Sequence, residues 1–190
     1  MDTPRYILFA GVNGSGKTTL YHVLSDLPNI PYVNIDDEIR EKGDWRDIHI
    51  NLEVGRDVVL RIHSYLKDRQ SFIEETTLCG KSILKNIQSA HDAGYKIDIF
   101  YVGLNSPELA KQRVHNRMAH GGHGISDEDI ERRYYASFEN LNSILPLCHS
   151  VTFFDNTDRF QKIAIYTNGA GLIFDSNVPL PSWFTTYIRI

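Results

Sequence analysis

Eight residues near the start of the chain, Gly11-Val12-Asn13-Gly14-Ser15-Gly16-Lys17-Thr18, match the pattern G-x-x-x-x-G-K-[ST] at every fixed position. Such a stretch works only between a buried strand and a helix, so it constrains the fold first. The flanks comply. Arg5 to Ala10 is a short apolar run, and Lys17 to Ser25 reads as a helix stopped by Pro28. Gly11, Gly14 and Gly16 let backbone N–H groups turn inward around an anion. The helix behind points its positive end at the same place, and Asn13, Ser15 and Thr19 complete the cradle. In this chemistry Lys17 reaches the β- and γ-phosphates, and the Thr18 hydroxyl ligates Mg²⁺. At average composition the four fixed positions coincide at any one place roughly once in 30,000. The motif therefore implies a nucleoside triphosphate site.

The rest of the 190 residues alternates strand-like and helix-like segments. That alternation predicts an α/β fold of P-loop NTPase, kinase-like type, a single domain over 1–190. Its sheet is expected to be about five-stranded and mostly parallel, with helices on both faces. Strands are expected at Arg5–Ala10, Pro31–Ile35, Ser71–Ile73, Lys96–Leu104 and Val151–Phe154. Helices are expected at Asn51–Lys67, at Lys81–Ala93 before Gly94, from Ser106 onward, and from Ser126 to about Leu145. Residues 119–127, around Gly121-Gly122, suit a lid loop, and 160–190 a C-terminal hairpin and tail. A hydrophobic fraction of 42% and a charged fraction of 23% are ordinary for a globular chain. The net charge of −4 argues against nonspecific binding to nucleic acid or an anionic membrane. No apolar run is long enough to span a membrane, and the N-terminus lacks a signal-peptide pattern. Two cysteines, Cys79 and Cys148, are too few for a disulfide framework, so the expected location is the cytoplasm.

A phosphate loop alone does not separate kinases, GTPases and ABC ATPases. No LSGGQ-like signature and no Asn-Lys-x-Asp guanine reader is present, which favours ATP over GTP and a kinase over the other two. Acidic pairs follow two strands, Asp36-Asp37 after the second and Glu74-Glu75 after the third. In an open parallel sheet ligands bind beyond the carboxyl ends of the strands. One acid of each pair is expected to face the site, taking a proton from an acceptor hydroxyl or holding Mg²⁺ through water; the other reading is a helix cap or solvated charge. Lys111, Arg113, Arg117, Arg132 and Arg133 flank the glycine-rich loop, where cations stabilise a transferring phosphoryl group. Asp155 and Asn156, closing the fifth strand, lie where a nucleotide base is often held. His120 and His123 read as polar loop histidines, since no zinc-site spacing accompanies them.

Taken together these residues resemble the zeta-toxin family of P-loop kinases, in particular its short stand-alone branch. The resemblance rests on Gly11 to Thr18, Asn34 to Arg40, Glu75 to Gly80, Tyr101 to Leu104, Arg113 to Arg117, Gly121 to Gly124, Arg132 to Tyr134 and Asp155-Asn156. It implies transfer of the γ-phosphoryl of ATP to a hydroxyl, which in the best-known toxins belongs to UDP-N-acetylglucosamine. It implies an Asp three residues before a basic residue as catalytic base, which Asp37 before Arg40 fits, while the Asn-x-Asp spacing favours Asp36. It further implies Glu75, with Thr76, Thr77, Arg113 and His123, on the acceptor side, and phosphate-clamping arginines among Arg117, Arg132 and Arg133. A small helical antitoxin is compatible with this reading. A nucleotide-gated regulatory ATPase without acceptor, and a kinase of another nucleotide or an antibiotic, are the alternatives.

Overall fold

The computed structural model describes residues 3–119 and 124–190. Seven strands form one sheet: β1 (Arg5–Ala10), β2 (Tyr32–Asn34), β3 (Phe72–Thr76), β4 (Lys96–Gly103), β5 (Ser150–Asp155), β6 (Gln161–Thr167) and β7 (Gly171–Phe174). Their order is β2-β3-β1-β4-β5-β6-β7. The first five run parallel, while β6 and β7 pair antiparallel. The expected count of five is thus corrected to seven, because the C-terminal hairpin joins the sheet through β6 alongside β5.

Strand alternation divides the apolar side chains between two layers. Tyr6, Leu8, Ala10, Phe72, Ile99 and Tyr101 pack under α3 (Ile48–Lys67), α4 (Lys81–Asp92) and α6 (Asp127–Ile144). Ile7, Phe9, Ile73 and Val102 face the other way, against Leu20 of the short α1 (Lys17–Val23) and the loop behind it. Helix α5 (Pro107–Ala119) buries Ala110 and Val114. A six-residue α7 (Ser182–Tyr187) places Trp183 against Gly103, where an added Cβ would come within 2.3 Å of the indole. No described helix is long and apolar enough to cross a membrane.

One short helix changes the site. Asp36 and Asp37 do not trail from a strand; they form the first turn of α2 (Ile35–Lys42). Asn34 caps it, its Oδ1 accepting from the Asp36 amide at 3.1 Å.

Candidate functional site

The phosphate loop turns between β1 and α1 with Gly11 at φ 139° and Gly16 at φ 100°. Both positions need glycine for a second reason. A Cβ on Gly11 would lie 2.3 Å from the Val102 carbonyl, and one on Gly16 2.6 Å from the Asn156 amide. Lys17 is buried and its Nζ donates to the Val12 carbonyl at 3.3 Å, with Glu75 at 3.9 Å. Burial pulls its ammonium below the ordinary lysine value, while the charges of Glu75 and Asp36 oppose that shift. The buried side-chain oxygens Ser15 Oγ and Asn13 Oδ1 have no hydrogen-bond partner among the described residues.

Opposite the loop, Glu75 at the end of β3 collects four hydrogen bonds. Thr18 Oγ1 donates to both carboxylate oxygens at 2.9 Å, the Tyr32 hydroxyl at 2.8 Å and Asn34 Nδ2 at 3.2 Å. The same Asn34 amide donates to Asp37 Oδ2 at 2.8 Å, and Arg40 pairs with Asp37 Oδ1 at 2.9 Å. One buried amide therefore joins the two carboxylates. Tyr32 is held by stacking on Tyr21, centroids 4.0 Å apart and 6° from parallel. Burial and then Glu75 raise its hydroxyl pKa, so it stays a donor. A hydroxyl and a carboxylate side by side at the phosphate loop are hard oxygen ligands of the kind Mg²⁺ takes, and they fit that ion.

Two connected cavities meet here. The larger, about 550 Å³, is bordered by Lys17, Thr18, Thr19, Asp37, Arg113 and Arg117. The smaller, about 180 Å³, runs inward past Asn13 and Asp36 beneath Thr76, Thr77 and Arg133. Asp36 borders both cavities and Asp37 the larger one. The expectation that a single acid of this pair turns inward fails, because neighbours on a helix are about 100° apart and not on opposite faces.

The remaining expected residues separate. Arg113 borders the larger cavity while donating to the Thr157 carbonyl at 3.0 Å. Arg132 is exposed and paired with Asp129, outside both cavities. Asn156 touches the phosphate loop, its Nδ2 donating to the Ser15 carbonyl at 2.8 Å. Asp155 is buried and turned toward α7, accepting from Trp183 Nε1 at 2.9 Å and Thr157 Oγ1 at 2.7 Å. His123 and residues 120–122 of the lid loop lie outside the described residues. Glu74 and Trp183 carry contacts that strand and helix patterns do not announce. For Tyr32 and Asn34 the signal is an alternating strand whose same-face polar residues lead into a helix cap.

Residues 1–178 match the family described as zeta toxin. The chain belongs to the zeta toxin family. Among curated proteins it is similar to an uncharacterized protein of Haemophilus influenzae, 29% identical over 128 residues, covering 67% of this chain and 91% of that protein. Among solved structures it is similar to the PezAT chromosomal toxin–antitoxin system of Streptococcus pneumoniae, at TM-score 0.63 and 16% identity over 86% of this chain and 72% of that one. It is also similar to a chain of the Pnkp1/Rnl/Hen1 RNA repair complex, at TM-score 0.59 and 19% identity over 75% of this chain. This zeta toxin family member spans 47% of that repair chain. At such identities the shared property of the solved structures is the fold, here the mostly parallel P-loop kinase sheet.

Proposed function

We propose that this zeta toxin family member is an ATP- and Mg²⁺-dependent kinase that moves the γ-phosphoryl group to a hydroxyl of a small molecule. The observation that carries the reading is the Asn34 amide, which holds Asp37 and Glu75 together opposite Lys17 and Thr18. Lys17 and the loop amides would hold the phosphates, and Thr18 the metal, with Glu75 orienting it through water. Bound Mg²⁺ would neutralise charge on the phosphate oxygens. Asp37, or its neighbour Asp36, takes the acceptor proton as the acceptor oxygen bonds to the γ-phosphorus and the bond to the β-phosphate oxygen breaks. Arg117, Arg113 and Arg133 stabilise charge spreading onto the transferred oxygens. Arg132 contributes after parting from Asp129.

Family membership supports UDP-N-acetylglucosamine as the first acceptor to try. The likeness to a toxin–antitoxin system supports a small helical antitoxin as partner and the cytoplasm as location. The test is mass spectrometry of products after incubation with ATP, Mg²⁺ and a panel of sugar nucleotides, NAD and aminoglycosides. A product one phosphoryl group heavier, absent with Lys17→Ala, is expected. ATP consumption with no heavier acceptor would turn the reading to a regulatory ATPase.

A further inference from the structure

Adjacent residues on a strand point to opposite faces, so Glu75 toward the phosphate loop sends Glu74 toward α3 and α4. That face is core: Phe72 lies two residues earlier, and Val58 and Ile83 close over it. A carboxyl there is costly unless it has partners. Glu74 has one. The Tyr6 hydroxyl donates to Oε2, leaving Oε1 without a hydrogen-bond partner among the described residues. Glu74 is not sealed in, because it forms part of the wall of the 180 Å³ inner cleft.

The other walls are mixed: Val33, Val58 and Ile83 are apolar, Ser82 and Thr76 add hydroxyls, and Lys17, Asp36, Glu75 and Arg133 carry charge toward the phosphate side. At the mouth stands Asn13, 7% exposed, whose buried Oδ1 lacks a donor among the described residues. The accessible Glu74 Oε1 beside the apolar patch of Val33, Val58 and Ile83 describes the guest: a small group carrying O–H or N–H on one side. At 180 Å³ the cleft is below the roughly 300 Å³ at which drug-sized ligand sites begin. It takes one ring or a chain end, not a nucleotide. Its mouth at Lys17 and Asp36 joins it to the phosphate cavity.

We propose that Glu74 is a specificity-determining residue whose free carboxyl oxygen receives a hydrogen bond from a hydroxyl or amino group of a small polyol or amino-polyol entering the inner cleft. Calling that guest the phosphoryl acceptor rests on the kinase reading above; the binding preference does not. Glu74 precedes the Glu75–Gly80 segment that carries the family resemblance, so the family's motif does not account for it.

The test uses three probes of one size with the full isotope-labelled chain, read by NMR titration: 2-aminocyclohexanol, cyclohexane-1,2-diol and cyclohexanone. The two donor-bearing probes are expected to shift Val33, Val58 and Ile83 saturably and to bind about tenfold or more tighter than the ketone, the usual scale for a hydrogen bond to a charged group. Glu74→Met should erase that preference. Glu74→Gln, nearly the same shape, should keep the diol and lose the advantage of the amine, and it serves if the Met variant does not fold. An unchanged preference in the folded variants, or no saturable shift with either donor-bearing probe, overturns the proposal. ATP titration of the same sample separates the two readings. Probe binding through Glu74 without ATP binding would sink the kinase and leave the cleft. ATP binding with probes indifferent to Glu74 would do the reverse.

Discussion

Glu74 also makes a sharp stability prediction in the ligand-free protein. Its carboxyl titrates near 7 when folded, against an ordinary value of 4.5, and burial is the main cause. Below pH 4.5 both folded and unfolded chains carry the proton, and the group contributes no pH dependence. Between 4.5 and about 7 the unfolded chain has lost the proton while the folded one keeps it, so stability falls as pH rises. Above 7 the full cost is present. The interval, at about 1.4 kcal/mol per pH unit, is worth about 3 kcal/mol. Glu74→Gln keeps an acceptor for the Tyr6 hydroxyl and cannot ionise. Its stability relative to wild type should therefore climb by about 3 kcal/mol between pH 4.5 and 8. For a chain of this length that is about 6–12 °C in melting temperature. The assay is thermal unfolding of both proteins across that pH range, without ligands. Every other titrating group is common to the pair, so the difference isolates this carboxyl. A melting-temperature difference that stays flat from pH 4.5 to 8 refutes the burial argument.

Other substitutions test the remaining contacts. Asp37→Asn should lower product formation by about 10²–10⁴-fold; a fall smaller than tenfold, with a larger one in Asp36→Asn, moves the base to Asp36. Asn34→Ala removes both the α2 cap and the link between Asp37 and Glu75. It should cost about 1 kcal/mol in unfolding experiments and reduce turnover far more than ATP affinity measured by calorimetry. Gly103→Ala pushes a methyl into the Trp183 indole and should cost about 1–3 kcal/mol in denaturant titration. Trp183→Phe leaves Asp155 short of one donor, with a similar loss of about 1–3 kcal/mol.

The parts of the fold that could be read in advance are those decided locally. The phosphate loop is legible because backbone geometry dictates residue type, and β1, β3, β4 and β5 because buried parallel strands are short apolar runs. What escaped depends on pairing across long stretches of chain. The terminal hairpin looks self-sufficient in sequence, yet Ala164 sits opposite Phe153 and extends the sheet. Helix α2 hides behind its own acids, since Asp36-Asp37 after an apolar strand reads equally as a strand end or a capped first turn. Asp155 follows the pattern of a base-side residue, but Trp183, 28 positions away, claims its carboxylate. Asn156, its neighbour, turns to the phosphate loop.

The two acidic pairs show why spacing alone misjudged the site. Asp36 and Asp37 look like a strand-end pair of which one must turn away, yet on a helix both border the phosphate cavity. Glu74 and Glu75 do lie on a strand and do diverge, so one of them at most can meet Thr18. That logic would discard Glu74 as surface charge. It fails because Glu74 borders the inner cleft between α3 and α4, while Glu75, beside Thr18, borders both that cleft and the phosphate cavity. Strand alternation thus gives the inner cleft a carboxyl of its own beside one it shares, along with Lys17, Asn34 and Asp36, with the phosphate cavity. A donor read in one compartment is thereby held at a fixed distance, set by the strand, from the phosphate chemistry of the other. Exchanging the two residues' roles is impossible without a register slip, which would bury Glu75 under α3 and α4 and strip Thr18 of its carboxylate partner.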